Sequence, residues 1–315
     1  MIKLNWQKLL FATIVTLGFS LLSCTKSSNS HKHKVVSLNF SDTIRVDQIV
    51  VPTENQKEAL RIAISAISSP RETFNYYKDM LMYIEEQLGQ KVIMIQRKTY
   101  SEINDLMKEN KADIAIVCSG NYVYGKADSA FKLLVVPEWK GKNYYNTYII
   151  AHKNSGVKSI NDLKNKLFAY TDPLSTSGKL YPTKRVKELG STPNDFFQSV
   201  VYTHAHDNSV QLVAKQMVDG ASVNSLVFDY LTSSSPNRVK DIIIIEKSAP
   251  HAMPPVVVSN KMSKEMEAKL KDIFLNMHKN QGSKKVLQNL MVDRYTHKSD
   301  TIYNSVRELA GITPK

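Results

Sequence analysis

From residue 60 the chain alternates short apolar runs with longer segments of helical period. "LRIAISAI" (60–67) reads as a buried strand, closed by the turn signal Ser68-Ser69-Pro70. A long helix follows, with Phe74, Tyr77, Leu81, Ile84 and Leu88 expected on one face and its end near Gly89. "KVIMIQ" (91–96) and "DIAIVC" (113–118) predict two further strands, separated by a helix in "YSEINDLMKEN" (100–110). The third strand opens onto the small and polar stretch "SGNYVYG". The style then repeats: "YYNTYIIAHK" (144–153) as one long strand, "SINDLKN" as a short helix, "KLFAYT" (166–171) and "QSVVYTH" (198–204) as strands. Residues 207–219 carry Val210, Val213, Ala214 and Met217 at core spacing, and "IIIIE" (242–246) and "PPVVVSN" (254–260) close the strand list. The chain ends in helices, one with Met266, Leu270, Ile273, Phe274 and Met277 on a single stripe.

Strands alternating with helices predict an α/β fold with parallel sheets covered on both faces. Two units of this kind place one lobe at 58–147 with 248–315 and a second at 148–247, around a cleft. Ligands of such sheets bind beyond the carboxyl ends of the strands, at helix N-termini. Small or polar clusters stand at four predicted strand ends: residues 65–69, 118–121, 171–178 and 202–209, the last with His204, His206 and a helix cap expected from Asp207 or Asn208. In "FAYTDPLSTSGKLYP" (168–182) the hydroxyls of Ser175, Thr176 and Ser177 precede a helix. One such residue is an ordinary cap. Several, joined by three other polar strand ends, fit a helix start left open for an anion.

The N-terminus has another pattern. "MIKLNWQKLLFATIVTLGFSLLSC" sets Lys3 and Lys8 ahead of an apolar run at 9–22, then Ser23 and Cys24. That run suits a signal h-region and is short for a membrane span. Leu21-Leu22-Ser23-Cys24 resembles the bacterial lipobox, which implies a signal peptide at 1–23, a lipidated Cys24, and a polar tether and extension at 24–57. Envelope location on a membrane anchor follows from that resemblance.

The 315 residues carry 42 Lys and Arg against 29 Asp and Glu, a net charge of +13. Such a balance suits an anionic partner, but the basic residues are dispersed, which argues against nucleic acid. Cys24 and Cys118 are the two cysteines. With one consumed by lipidation there is no disulfide framework, and no C-x-x-C pair marks a zinc site. The sequence calls for no metal and no cofactor.

Four segments carry a family resemblance: "LRIAISAISSPRETFNYYKDMLMYIEEQLG", "DIAIVCSGNYVYG", "TDPLSTSG" and "THAHDNSVQLVAKQMVDGA". Together they resemble the phosphate-, phosphite- and phosphonate-type substrate-binding proteins of ABC importers, from about residue 60 to 311. The resemblance implies a two-lobed periplasmic-binding-protein fold of type II-like form, closing on its ligand by a hinge. It implies a hydroxyl and amide cradle at Ser175, Thr176 and Ser177, with His206 reaching the same oxyanion and Tyr100 and Tyr145 closing the other side. A small oxyanion and an ABC permease become the expected partners, the receptor being a monomer without catalytic activity. Members that bind aminoalkylphosphonates hold the ammonium with two acidic residues. The matching positions here are Leu226 and Pro254, which cannot pair with a cation, so phosphate, phosphite or a simple alkylphosphonate is expected, with His251 or Met253 beside the pocket. Two other readings share the fold. One is a ligand-sensing lipoprotein for a membrane signalling partner. The other is an enzyme with Cys118 as nucleophile, which would require a base within reach.

Overall fold

Strand β1 (Leu60–Ile64) is apolar at four of its five positions because both faces of its sheet are covered. The computed structural model describes residues 59–313. The signal segment 1–23, the lipidation candidate Cys24 and the tether and extension 24–57 lie outside them. β1 pairs in parallel with β2 (Val92–Gln96) and β3 (Ile114–Ile116). Its Ile62 and Ile64 face a core with Met80, Ile84, Leu270 and Phe274, while Ala63 faces a second core with Ile103, Met107 and Tyr122.

Helix α1 (Pro70–Leu88) begins with proline, whose missing N–H is harmless there, and ends on Gly89 at φ 62°, a conformation that glycine adopts without strain. Its buried residues are Thr73, Met80, Leu81 and Ile84. Phe74, expected on that face, is 52% exposed. It lies one residue, about 100° around the helix, from Thr73 on the buried stripe. Helix α2 (Tyr100–Lys108) starts with a capping box between Thr99 and Glu102. "SGNYVYG" is the start of helix α3 (Ser119–Ala127), and strand β4 (Phe131–Glu138) follows it.

The predicted strand 144–153 is two strands, β5 (Tyr144–Tyr145) and β6 (Thr147–His152). Asn146 separates them and its side chain donates to Ser248 O at 2.8 Å. At this point the chain leaves the first sheet for a second. There β7 (Leu167–Tyr170) pairs in parallel with β8 (Ser199–Tyr202) and β9 (Gly220–Asn224). Between β7 and β8 lie α4 (Tyr181–Glu188) and α5 (Pro193–Phe196). Helix α6 (His206–Ala214) precedes β9, and α7 (Ser225–Ser234) follows it. Met217, expected in the core, lies past the end of α6 and is 41% exposed. Phe168 stacks on Phe197 at 4.4 Å within the core of this lobe.

Strand β10 (Ile242–Lys247) ends the second sheet, and β11 (His251–Ala252) pairs antiparallel with β5 in a two-stranded ribbon where the chain returns. β12 (Val256–Ser259), helices α8 (Lys264–Asn276) and α9 (Lys284–Asn289), β13 (Arg294–Thr296) and α10 (Asn304–Ala310) complete the chain. The sheet orders are β13-β4-β12-β3-β1-β2 and β10-β6-β9-β7-β8. Neither is wholly parallel, as the alternation of elements suggested. β12, inserted between β3 and β4, runs antiparallel to both, and β6 runs antiparallel to β9 and β10. The fold is thus a two-lobed α/β arrangement, one sheet to each lobe, with the β5–β11 ribbon where the chain crosses between them.

Candidate functional site

The four polar strand ends meet between the lobes, which are closed on one another. The N–H of Tyr100 donates to Asp172 Oδ2 at 3.0 Å, and that of His206 to Ile67 O at 3.0 Å. Ser69 donates twice to the carboxylate of Asp207. Ser119 Oγ lies 2.9 Å from Thr176 Oγ1. Asp207 therefore does not cap its own helix; no side chain caps α6, and this carboxylate is spent across the cleft.

The stretch 175–182 owes its shape to Pro182. A continuing α-helix would bring the N–H of residue 182 to Gly178 O, but proline has none. The chain makes a π-turn instead, over Thr176–Leu180. Leu180 N–H donates back to Ser175 O, and Tyr181 N–H to Thr176 O. Two carbonyls are thereby released and both are taken: Gly178 O by the N–H of Thr171 at 3.2 Å, Ser177 O by Ser222 Oγ at 2.5 Å. At the other end Ser175 Oγ accepts from Gly178 N–H at 3.0 Å, so Ser175 serves as the cap. Among the described residues nothing accepts from the amides of Thr176 and Ser177. Ser119 begins α3, whose N-cap Cys118 makes no side-chain cap bond. Two helix starts with open N–H groups thus face each other, and such ends favour anions.

His206, the first residue of α6, is fully buried. Its Nδ1 receives the N–H of Asn224 at 3.2 Å, and Thr171 Oγ1 lies 3.0 Å away. An amide can only donate, so Nδ1 is the acceptor and the ring proton sits on Nε2. That N–H points between Ser177 Oγ at 3.4 Å and Ser175 Oγ at 3.5 Å. Burial lowers the imidazole pKa from 6.5 to about 3, which keeps the ring neutral.

Tyr145, on the inter-lobe ribbon, lies with its hydroxyl 3.1 Å from Ser119 Oγ. Tyr100 is the first residue of α2 and not part of the preceding loop. Its hydroxyl is buried without a partner, as is Oδ1 of Asn121, whose Nδ2 donates to Ser65 Oγ at 2.9 Å. Desolvation raises the phenol pKa of Tyr100 and of Tyr145, so both remain protonated donors. All six residues expected at the ligand, Ser175, Thr176, Ser177, His206, Tyr100 and Tyr145, stand in one buried region. Ser119 and Asn121 join them. Their signal was the polar strand end at 118–121, in which Gly120 lets the lobes meet: a Cβ there would stand 2.1 Å from Leu174 O.

Among the described residues, the cradle is built without lysine or arginine. Asp172 is held by the amides of Tyr100 and Leu174, while burial raises its pKa. Cys118 is buried, and no histidine or carboxylate bonds to it among the described residues. His251 lies beside Tyr145 and Tyr181 at centroid distances of 5.9 Å. No group of metal-ligating side chains occurs among the described residues.

Residues 62–303 match the family described as "ABC transporter, phosphonate, periplasmic substrate-binding protein". The chain belongs to this family. It is 28% identical over 285 residues to the phosphonates-binding periplasmic protein of Escherichia coli K12, covering 88% of this chain and 83% of that one. Among solved structures it is similar to the binding-protein component of a Pseudomonas aeruginosa ABC phosphonate transporter, with 25% identity, a TM-score of 0.76, and coverage of 80% and 85% of the two chains. The fold is also that of PhnD1 from Prochlorococcus marinus in complex with methylphosphonate, at 16% identity, a TM-score of 0.74, and coverage of 81% and 97%.

Proposed function

We propose that this protein is the lipid-anchored receptor of an ABC importer, capturing a phosphonate-, phosphite- or phosphate-type oxyanion between its lobes and presenting it to a membrane permease. The observation that carries this reading is the meeting of two open helix starts at Ser119 and Thr176, 2.9 Å apart between their hydroxyls. Tyr145 and the Nε2–H of His206 approach the same region from the ribbon and from the second lobe. A tetrahedral anion needs donors from several directions, and each bond to a charged group contributes about 1.5–3 kcal/mol. The free amides of Thr176 and Ser177 and the unpaired hydroxyl of Tyr100 are such donors. The lipobox-like Leu-Leu-Ser-Cys ending at Cys24 supports attachment of a monomeric receptor to an envelope membrane.

Titration calorimetry with phosphate, phosphite and methylphosphonate tests the site. Binding of at least one is expected, weakened by roughly 1–3 kcal/mol in Thr176→Ala, the effect of an unmade buried bond to a charged group. Absence of binding to all three, or an unaltered variant, refutes the cradle. Cys24→Ser should leave the membrane fraction or accumulate as precursor; maturation and partition like the wild type would refute the anchor.

A further inference from the structure

Beside the cradle a cavity of about 110 Å³ runs between the lobes. Its polar lining includes Ser65, Ser68, Thr73, Asn224 and Asn289, and two of these are one hydrogen bond from the cradle: Ser65 through Asn121, Asn224 through His206. The rest of the wall is largely apolar, with Ile67, Leu226, Val227, Met253, Pro254 and Val256 among its residues. No Asp, Glu, Lys, Arg or His lines it. Tyr76 of α1 and Tyr230 of α7 pack edge to face across the cleft, ring centroids 4.6 Å apart, so closure brings aromatic walls together from both lobes.

From this we infer that the ligand is an organophosphonate whose carbon substituent is uncharged, apolar and larger than methyl, seated in this cavity while its oxygens occupy the cradle. The inference rests on the oxyanion reading above and adds the substituent. A phosphonate directs one group away from its three oxygens, and the cavity wall residues Ser65 and Asn224 bond directly to Asn121 and His206 beside the cradle. An ammonium or carboxylate there would be buried without an oppositely charged partner. An apolar cavity of about 150 Å³ holds benzene, so 110 Å³ suits a chain of about four carbons. The hydroxyl of Tyr76, buried and unpaired, leaves room for one neutral oxygen on that chain.

The test compares methylphosphonate, butylphosphonate and 2-aminoethylphosphonate on the mature protein by calorimetry. Each methylene buried contributes about fourfold in affinity, so butylphosphonate should bind roughly 10- to 60-fold more tightly than methylphosphonate. The amine should bind no better than methylphosphonate. Leu226→Glu, in the first turn of α7 where a carboxylate suits the helix dipole, should reverse the order of the butyl and aminoethyl ligands. Methylphosphonate binding as well as butylphosphonate, or the amine binding most tightly to the wild type, overturns the inference and leaves the cradle standing. Failure of all three of these ligands overturns the inference, and overturns the cradle as well if phosphate and phosphite also fail to bind.

Discussion

Ser69 and Asp207 join the lobes by two hydrogen bonds, Ser69 N–H to Oδ1 at 2.8 Å and Ser69 Oγ to Oδ2 at 2.6 Å. Each residue stands at the start of a helix, α1 and α6, so the carboxylate also lies near two positive helix ends. Arg238 extends the link, 3.2 Å from Glu72 and 3.7 Å from Asp207. The Ser69–Asp207 and Arg238–Glu72 contacts run from one lobe to the other, so separating the lobes would break them.

Ser69→Ala therefore removes one bond to a charged group from the closed state alone. The expected result is ligand affinity reduced by about 1–2 kcal/mol, with thermal unfolding of the unliganded protein little changed. Calorimetry and small-angle scattering check it. An unaltered affinity would mean that this pair does not hold the closed form.

Gly120 gives a sharper version of the same experiment. Its missing side chain admits Leu174 O and Thr176 N from the other lobe. Alanine is the better helix former by about 1 kcal/mol, so Gly120→Ala should keep or raise the melting temperature. Yet its Cβ would meet backbone at 2.1 Å, and closure should fail, with affinity down by at least about tenfold. Stability and binding moving in opposite directions is the diagnostic outcome; full affinity would refute the contact.

His206 makes a prediction about pH. Its folded pKa of about 3 lies below the ordinary 6.5, so between those values the unfolded chain binds a proton that the folded chain refuses. Its contribution to stability is whole above pH 6.5 and is lost as pH falls, at about 1.4 kcal/mol per pH unit at most. His251, lowered to about 4 by burial and then by Lys184, acts with the same sign. Urea unfolding at pH 7.5 and 5 should show a shallower loss for His206→Gln than for the wild type. Ring nitrogen shifts of His206 should keep the neutral Nε2–H pattern throughout; a transition near 6.5 would contradict the buried neutral ring.

The sequence made some of this legible for definite reasons. β1, β3 and β12 read as strands because both their faces are covered, and the hydroxyl run 175–177 stood out because one cap needs one side chain. β4 is hard to see: Lys132 and Pro137 interrupt its apolar pattern, and its pairing with β12 and β13 is set by distant residues. Helix α3 begins with Ser-Gly-Asn, poor helix formers, because close approach of the opposite lobe matters more there than local propensity. The double role of residues 175–177, Ser175 capping while the next two amides stay open, depends on Pro182 and on partners such as Ser222, which no local pattern reveals.

In the proposed function, a cradle built without lysine or arginine among the described residues separates how an anion arrives from how it is kept. Attraction from a distance comes from the chain's net charge of +13 and is screened by salt over about 10 Å at 0.1 M. The grip, made of buried amides, hydroxyls and a neutral imidazole, lies where salt ions do not enter. Rising ionic strength would slow capture and leave the residence time of the bound anion nearly unchanged.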